Sequence, residues 1–227
     1  MGHKENIAPK RKKGIETQEK IFEAAANLFA RDGYDNVSIR KIASAIGIKE
    51  SSIYNHFDSK GSILANLFEY FSKELLRTRP TDDELEKMMA YLSAEEILKN
   101  VIIRIGHQNK NVLDHIATII FIERFRNEQA ARLYFDLILE EQNEFYSKVF
   151  TLMKKRGLVA LPEDDVDKIA VQYNYVLVAL ANEYAMAKNG FADPLTIIKK
   201  MMDTTSFFVQ KLTKKNILEG EDNNDNR

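Results

Sequence analysis

The sequence predicts an all-α protein, and three observations predict it. Apolar residues recur at helical spacing almost everywhere between residues 17 and 214. Only 9 glycines and 4 prolines punctuate 227 residues, too few for the hairpin turns of an all-β chain. No segment alternates apolar and polar residues for long enough to require a sheet. With 44% hydrophobic and 30% charged residues the chain has material for a packed core, and its length fits one large or two modest domains.

Residues 1–14 read as a flexible basic arm, with Lys4, Lys10, Arg11, Lys12 and Lys13 against Glu5 and no apolar period. The arm lacks the apolar stretch of a signal peptide, and nothing later approaches the roughly 18 apolar residues of a membrane span. A cytoplasmic protein without a membrane partner is expected. The first helix should run from an N-cap at about Thr17 to Arg31, burying Ile21, Phe22, Ala25, Leu28 and Phe29. Gly33 ends it by taking the left-handed conformation that a C′ residue needs. Short helices follow at Ser38–Ile46 and about Lys49–Phe57. A linking helix at about 59–78 is broken by Arg79-Pro80.

Longer helices are expected near 82–90, 94–108, 111–126, 128–156, 163–188 and 193–214. Ser93 and Glu96 form a capping-box pattern, Arg156-Gly157 and Asn189-Gly190 mark ends, and Asp193-Pro194 starts the last helix. Residues 216–227, with Glu219, Glu221, Asp222 and Asp225 against Arg227, read as an acidic disordered tail.

Charge and cysteine content narrow the function. The 33 basic and 34 acidic side chains cancel, so the chain is no bulk polycation. Zero cysteines exclude disulfides, thiolate metal sites and a cysteine nucleophile. No zinc-protease pair, P-loop, dinucleotide fingerprint or nucleophile elbow is present, so no catalytic residue, metal ligand or cofactor is expected.

The informative segment is 37–57. Ala43, Gly47 and Ile53 fall at intervals that let two short helices cross closely, turn tightly and plug the space between them, although any helical hairpin can show such spacing. Opposite these, Lys49, Glu50, Ser51, Ser52, Tyr54, Asn55 and His56 offer hydrogen-bonding groups while Ile48, Ile53 and Phe57 face inward. A helix with that polar leading end suits a major groove. Ser38 at one helix start and Lys60 in the first turn of the next can each meet a phosphate.

At these residues the sequence resembles the TetR family of bacterial transcriptional regulators. The resemblance covers about residues 17–65 and rests on Ile21, Ala25, Leu28, Phe29, Gly33-Tyr34, Ser38, Ile42-Ala43, Gly47-Ile48, Ile53-Tyr54, His56-Phe57 and Ser59-Lys60. It implies an all-helical homodimer with a DNA-binding helix-turn-helix domain at 15–60 and a larger helical ligand-binding and dimerisation domain at 79–215. By motif position it implies base readers at Arg40, Glu50 and Ser51 with Asn55 beside them. Lys49, Ser52, Tyr54, His56 and Lys60 match phosphate-holding places, Tyr54 also being placed to meet bases. Glu50 and Ser51 depart from the family, many of whose members have an uncharged and a small residue there, so the operator cannot be read off.

Beyond residue 80 the residues speak for packing. Phe121 and Phe125, with polar groups at His107, Gln142, Tyr146 and Tyr173, would suit the wall of a pocket for a small hydrophobic effector, and equally a plain core. Helix 193–214 is apolar on more than one face, which implies a partner surface. The expected dimer interface takes Tyr173, Leu177, Leu180 and Tyr184 from one helix and Ile198, Met201, Met202, Thr205, Phe208 and Leu212 from the last, forming a four-helix contact between subunits. The expected function is an operator-binding repressor released by an apolar or amphipathic effector. A helical protein-interaction module and a ligand-independent DNA-binding regulator are the competing classes, and an enzyme has the least support.

Overall fold

The computed structural model describes residues 7–106 and 110–213. The chain is all-α, and the described residues contain no strand. The helices are α1 (Ile7–Asp32), α2 (Ile39–Ala45), α3 (Glu50–Ile53), α4 (Lys60–Thr78), α5 (Asp82–Tyr91), α6 (Ala94–Gly106), α7 (Lys110–Glu123), α8 (Glu128–Arg132), α9 (Glu141–Lys155), α10 (Val166–Met186) and α11 (Pro194–Thr213). Two compact units divide them. The first takes the described parts of Met1–Lys73 and Asn109–Ala131, the second those of Glu74–Gln108 and Arg132–Arg227.

In the first unit α7 packs along α1, and α2 contacts both α1 and α3. The buried side chains are Ile21, Ala25 and Phe29 of α1, Ile42 of α2, Ile53 of α3, Ile63 and Leu67 of α4, and Ile116, Ile119 and Ile120 of α7. Residues 109–131 group with the N-terminal helices, whereas the expected regulatory and dimerisation domain took 79–215 together. The apolar face of α7 had no feature in sequence that named its partner.

The second unit is built on α9 against α10, with α11 packed on α10 and α6 and with α5 closing on α6 and α9. Its centre is aromatic. Tyr173 lies 5.0 Å from Tyr146, 5.7 Å from Phe150 and 5.1 Å from Phe208 between ring centroids, the first two edge-on. The Tyr173 hydroxyl shares a hydrogen bond with Thr205 Oγ1 at 3.0 Å, which satisfies two fully buried polar groups.

Several boundaries follow the expected signals. Gly33 has φ +81° and donates its N–H to Phe29 O, ending α1. The Ser93–Glu96 capping box closes on both sides, Ser93 N–H to Glu96 Oε2 at 2.8 Å and Glu96 N–H to Ser93 Oγ at 3.3 Å. Asp193 accepts the N–H groups of Leu195 and Thr196 ahead of α11.

Three boundaries differ from expectation. The first helix begins at Ile7 rather than near Thr17, so the expected flexible arm is helical over 7–14; Pro9 falls in the first turn, where a missing N–H costs no bond. Residues 1–6 and the acidic tail at 216–227 lie outside the described residues. Helix α3 is shorter than the expected Lys49–Phe57, because the buried Phe57 draws the chain out of helix and both His56 and Phe57 donate to Ile53 O. The stretch 128–156 is not one α-helix, since Leu133–Glu140 between α8 and α9 is π-helical. Asn174 of α10 stands at its far end, its side-chain amide donating to Ile138 O at 3.1 Å, Leu139 O at 3.2 Å and Asn143 Oδ1 at 2.9 Å. No spacing signal in sequence distinguishes such a widened turn from an ordinary one.

Candidate nucleic-acid interface

Helix α2 starts where Ser38, in extended conformation, accepts the Lys41 N–H on its Oγ at 3.1 Å. The Ser38 hydroxyl keeps its proton free to donate outward. After α2 the chain reverses at Gly47, whose φ of +69° is a conformation that a side chain would strain. The Gly47 N–H reaches Ser44 O and the Ile48 N–H reaches Ala43 O, closing the turn. Ala43 and Ile53 are buried between the helices, as the spacing predicts, and Ile48 is half-buried.

Burying Ile53 and Phe57 forces the other side of the segment outward. Ser38, Arg40, Lys49, Glu50, Ser51, Tyr54 and Asn55 are all exposed, while Ser52, His56 and Lys60 are half-buried. Tyr54, at 51% exposure, is a large aromatic presented to solvent beside hydrogen-bonding neighbours. Lys60 is already engaged: its Nζ donates to Tyr34 O at 2.9 Å and sits 4.1 Å from the Tyr34 ring centroid. Its charge therefore steadies the α1–α2 loop whatever else it meets.

Beside the turn lies a shallow concavity of about 500 Å³ whose rim includes Ser38, Arg40, Arg31 and Lys41. Arg31 and Lys41 are not among the expected site residues. Asp32 pairs with both Arg31 and Lys41, at 2.8 and 2.9 Å, and the Arg31 and Lys41 hydrogen bonds hold its carboxyl far below the usual range. One carboxylate against two cations leaves this ledge positive. The charged run at the end of the first predicted helix was the available signal.

Residues 21–67 match the family model of bacterial regulatory proteins of the tetR family. An uncharacterized HTH-type transcriptional regulator, YerO of Bacillus subtilis (strain 168), is 26% identical over 146 residues, covering 63% of this chain and 48% of YerO. The biofilm operon icaADBC HTH-type negative transcriptional regulator IcaR of Staphylococcus epidermidis is 32% identical over 79 residues, covering 33% of this chain and 43% of IcaR. Over residues 21–67 the chain is similar to the tetR family of bacterial regulatory proteins.

The chain spans about half the length of those two relatives. Solved structures share its fold. A chain from Saccharomonospora viridis in complex with choline aligns at TM-score 0.62 and 22% identity, covering 86% of this chain and 96% of that one. A transcriptional regulator from Rhodococcus sp. Rha1 aligns at TM-score 0.59 and 14% identity, with the same two coverages. The relatives are named as transcriptional regulators and not as enzymes.

The expected effector residues fall in both units. Phe121 and Phe125 belong to the first unit, and Phe125 is 82% exposed. Gln142, Tyr146 and Tyr173 belong to the second unit and are buried in its packed centre. There Gln142 Oε1 accepts from Arg79 Nε at 3.0 Å, and burial pushes both phenols well above their ordinary range, so they stay neutral. His107 lies outside the described residues.

The expected dimer residues also divide. Tyr173, Leu180, Thr205 and Leu212 are buried inside their own protomer, which removes them from a surface role. Leu177, Tyr184, Met201, Met202 and Phe208 are half-buried, and Ile198 is exposed. The outward apolar side chains are instead Val171, Tyr175 and Val176 of α10 with Leu195, Ile198 and Phe207 of α11. Both helices are apolar around much of their circumference, so sequence alone could not say which face turns inward. Among the described residues no helix is long and apolar enough to cross a membrane.

Proposed function

We propose that the protein is a cytoplasmic, homodimeric transcriptional repressor that binds a palindromic DNA operator and is released by a small apolar or amphipathic effector. The observation that carries the reading is the polar surface of residues 38–55. Within the segment that matches the family model, burial of Ile53 and Phe57 leaves Arg40, Lys49, Glu50, Ser51, Tyr54 and Asn55 exposed together at the leading end of a two-helix turn. Arg40, Glu50, Ser51 and Asn55 take the base edges; Ser38, Lys49, Ser52, Tyr54, His56 and Lys60 take phosphates. The outward faces of α10 and α11 supply the dimer contact. The negative sign of control is supported by IcaR, and a small-molecule effector by the choline-bound chain.

Selection of bound fragments from a random DNA pool tests the reading. The expected result is a palindrome with half-site centres about 34 Å apart or somewhat more, bound with an affinity that falls steeply with salt. Recovery of no preferred sequence, or a salt-insensitive complex, would overturn it.

A further inference from the structure

Glu123 is the last residue of α7, and it is 5% exposed. Its backbone is fixed by the turn that ends the helix: Glu123 O accepts the N–H groups of Arg126 and Asn127, both at 2.8 Å. Asn127 Oδ1 then accepts the Ala130 N–H at 3.0 Å. From this anchored base the carboxylate reaches across to the N-terminal helices, where Oε1 accepts the Tyr34 N–H at 3.1 Å. Burying a carboxylate is costly unless it is hydrogen-bonded, and the group that satisfies this one lies in the loop between α1 and α2.

Tyr34 is held on its other side as well. Its carbonyl accepts from Lys60 Nζ at 2.9 Å and from the Val37 N–H at 3.3 Å, and its ring lies edge-on to Phe29 at 5.2 Å. The donor of one residue is thus fixed by α7 and its acceptor by the first residue of α4, all inside one compact unit. From Tyr34 the chain needs only Asp35, Asn36 and Val37 to reach Ser38, the cap of α2. The place of Tyr34 therefore sets where α2 begins, and α3 follows through the closed turn at Gly47.

We infer that Glu123 is a positioning residue for the DNA-reading helices: it touches no base or phosphate, and it acts through the Tyr34 N–H to fix the loop that launches α2. This rests on the operator-binding reading above. The bond comes from α7 rather than from the helix-turn-helix itself, so the set of the reading helices is conditional on where α7 lies. A shift of α7 by an ångström or so along α1 would stretch a 3.1 Å bond out of range.

The test uses the full chain with Glu123→Met, which keeps the volume and loses the acceptor, and Glu123→Gln, which keeps a carbonyl in reach. Hydrogen exchange at the Tyr34 amide is measured in the free protein, and affinity and base preference are measured on the selected operator fragment. Glu123→Met should speed Tyr34 exchange about tenfold and weaken operator binding by about the same factor, with base preference unchanged. Glu123→Gln should restore both. Circular dichroism checks that helix content is kept, and Glu123→Ala replaces the methionine variant if that fails to fold. Unchanged Tyr34 exchange overturns the inference, as does faster exchange with unchanged affinity, or failure of glutamine to rescue. Wild-type protein that protects Tyr34 yet binds no DNA would sink the operator reading and the positioning role with it, and the exchange data would show that the bond itself was not at fault.

Discussion

The α2–α3 pair and the aromatic centre between α9 and α10 are both held by buried side chains, yet they divide work among residues differently. Here the helices are short: Ile42, Ala43 and Ile53 face in, and Lys49, Glu50 and Ser51 face water. Each position has one task. In the second unit α9 and α10 are long and apolar on several sides, and Tyr146, Phe150 and Tyr173 are wholly enclosed by partners drawn from other helices. A residue's task there depends on which neighbour arrives. The first arrangement specifies a surface, the second a stable interior.

The largest expected effect probes the interior. Tyr173→Ala removes the ring at the middle of the aromatic cluster and the partner of Thr205, and should cost about 3–5 kcal/mol in denaturant unfolding. A loss below about 1 kcal/mol would mean the centre is loosely packed. Next comes the outward face. Ile198→Glu should leave a folded protein that sediments as a monomer, because an unpaired carboxylate in a dimer contact costs several kcal/mol. Phe208→Glu, packed on Tyr173, should instead unfold the chain. A stable dimer with Ile198→Glu would move the contact elsewhere.

Effects on the turn should be smaller and more specific. Arg40→Ala should lose about 1–3 kcal/mol on the preferred operator and relax one base position, read by binding to a set of single-base variants. A uniform loss on all sequences would make Arg40 a phosphate contact. Gly47→Ala should cost about 1–2 kcal/mol, since its φ of +69° is disfavoured for alanine, and the loss should appear as faster amide exchange over 39–57.

The smallest effect is electrostatic and belongs to the second unit. Hydrogen bonds from Arg104 and then Thr81 hold the Glu84 carboxyl at about 2, against an ordinary 4.5. A depressed carboxyl stabilises fully above its unfolded value and loses that contribution as pH falls through the folded one. The melting difference between wild type and Glu84→Gln should therefore be constant above about pH 5 and shrink between 4.5 and about 2. A difference that grows on acidification would reverse the assignment.

The contrast between the regions also explains what sequence made legible. Caps and turns at Gly33, Ser38, Gly47, Ser93 and Asp193 are local devices, in which one residue satisfies backbone a few positions away, so spacing alone located them. The exposed edge at Arg40 and Lys49–Asn55 was legible for the same reason. Glu123 was not, because its partner Tyr34 is remote in sequence and a glutamate ending an apolar helix looks like a solvent residue. The inward turn of Tyr173 and Leu180, and the outward turn of Tyr175 and Val176, needed the placement of α9 and α11 before either face could be named.

The π-helical stretch Leu133–Glu140 has a consequence for how this chain tolerates length changes. A widened turn holds one residue more than the ordinary winding, and each residue turns a helix by about 100°. The widened turn absorbs that extra residue locally, so losing one residue there would let the segment wind normally while α9 keeps nearly the same face toward α10. Phe145, Tyr146 and Phe150 would still meet Tyr173, and the contacts of Asn174 with the carbonyls of Ile138 and Leu139 would be the ones to go. A one-residue deletion is thus best tolerated in this stretch, whereas the same deletion inside α9 would turn every later side chain of the helix by about 100° away from the core.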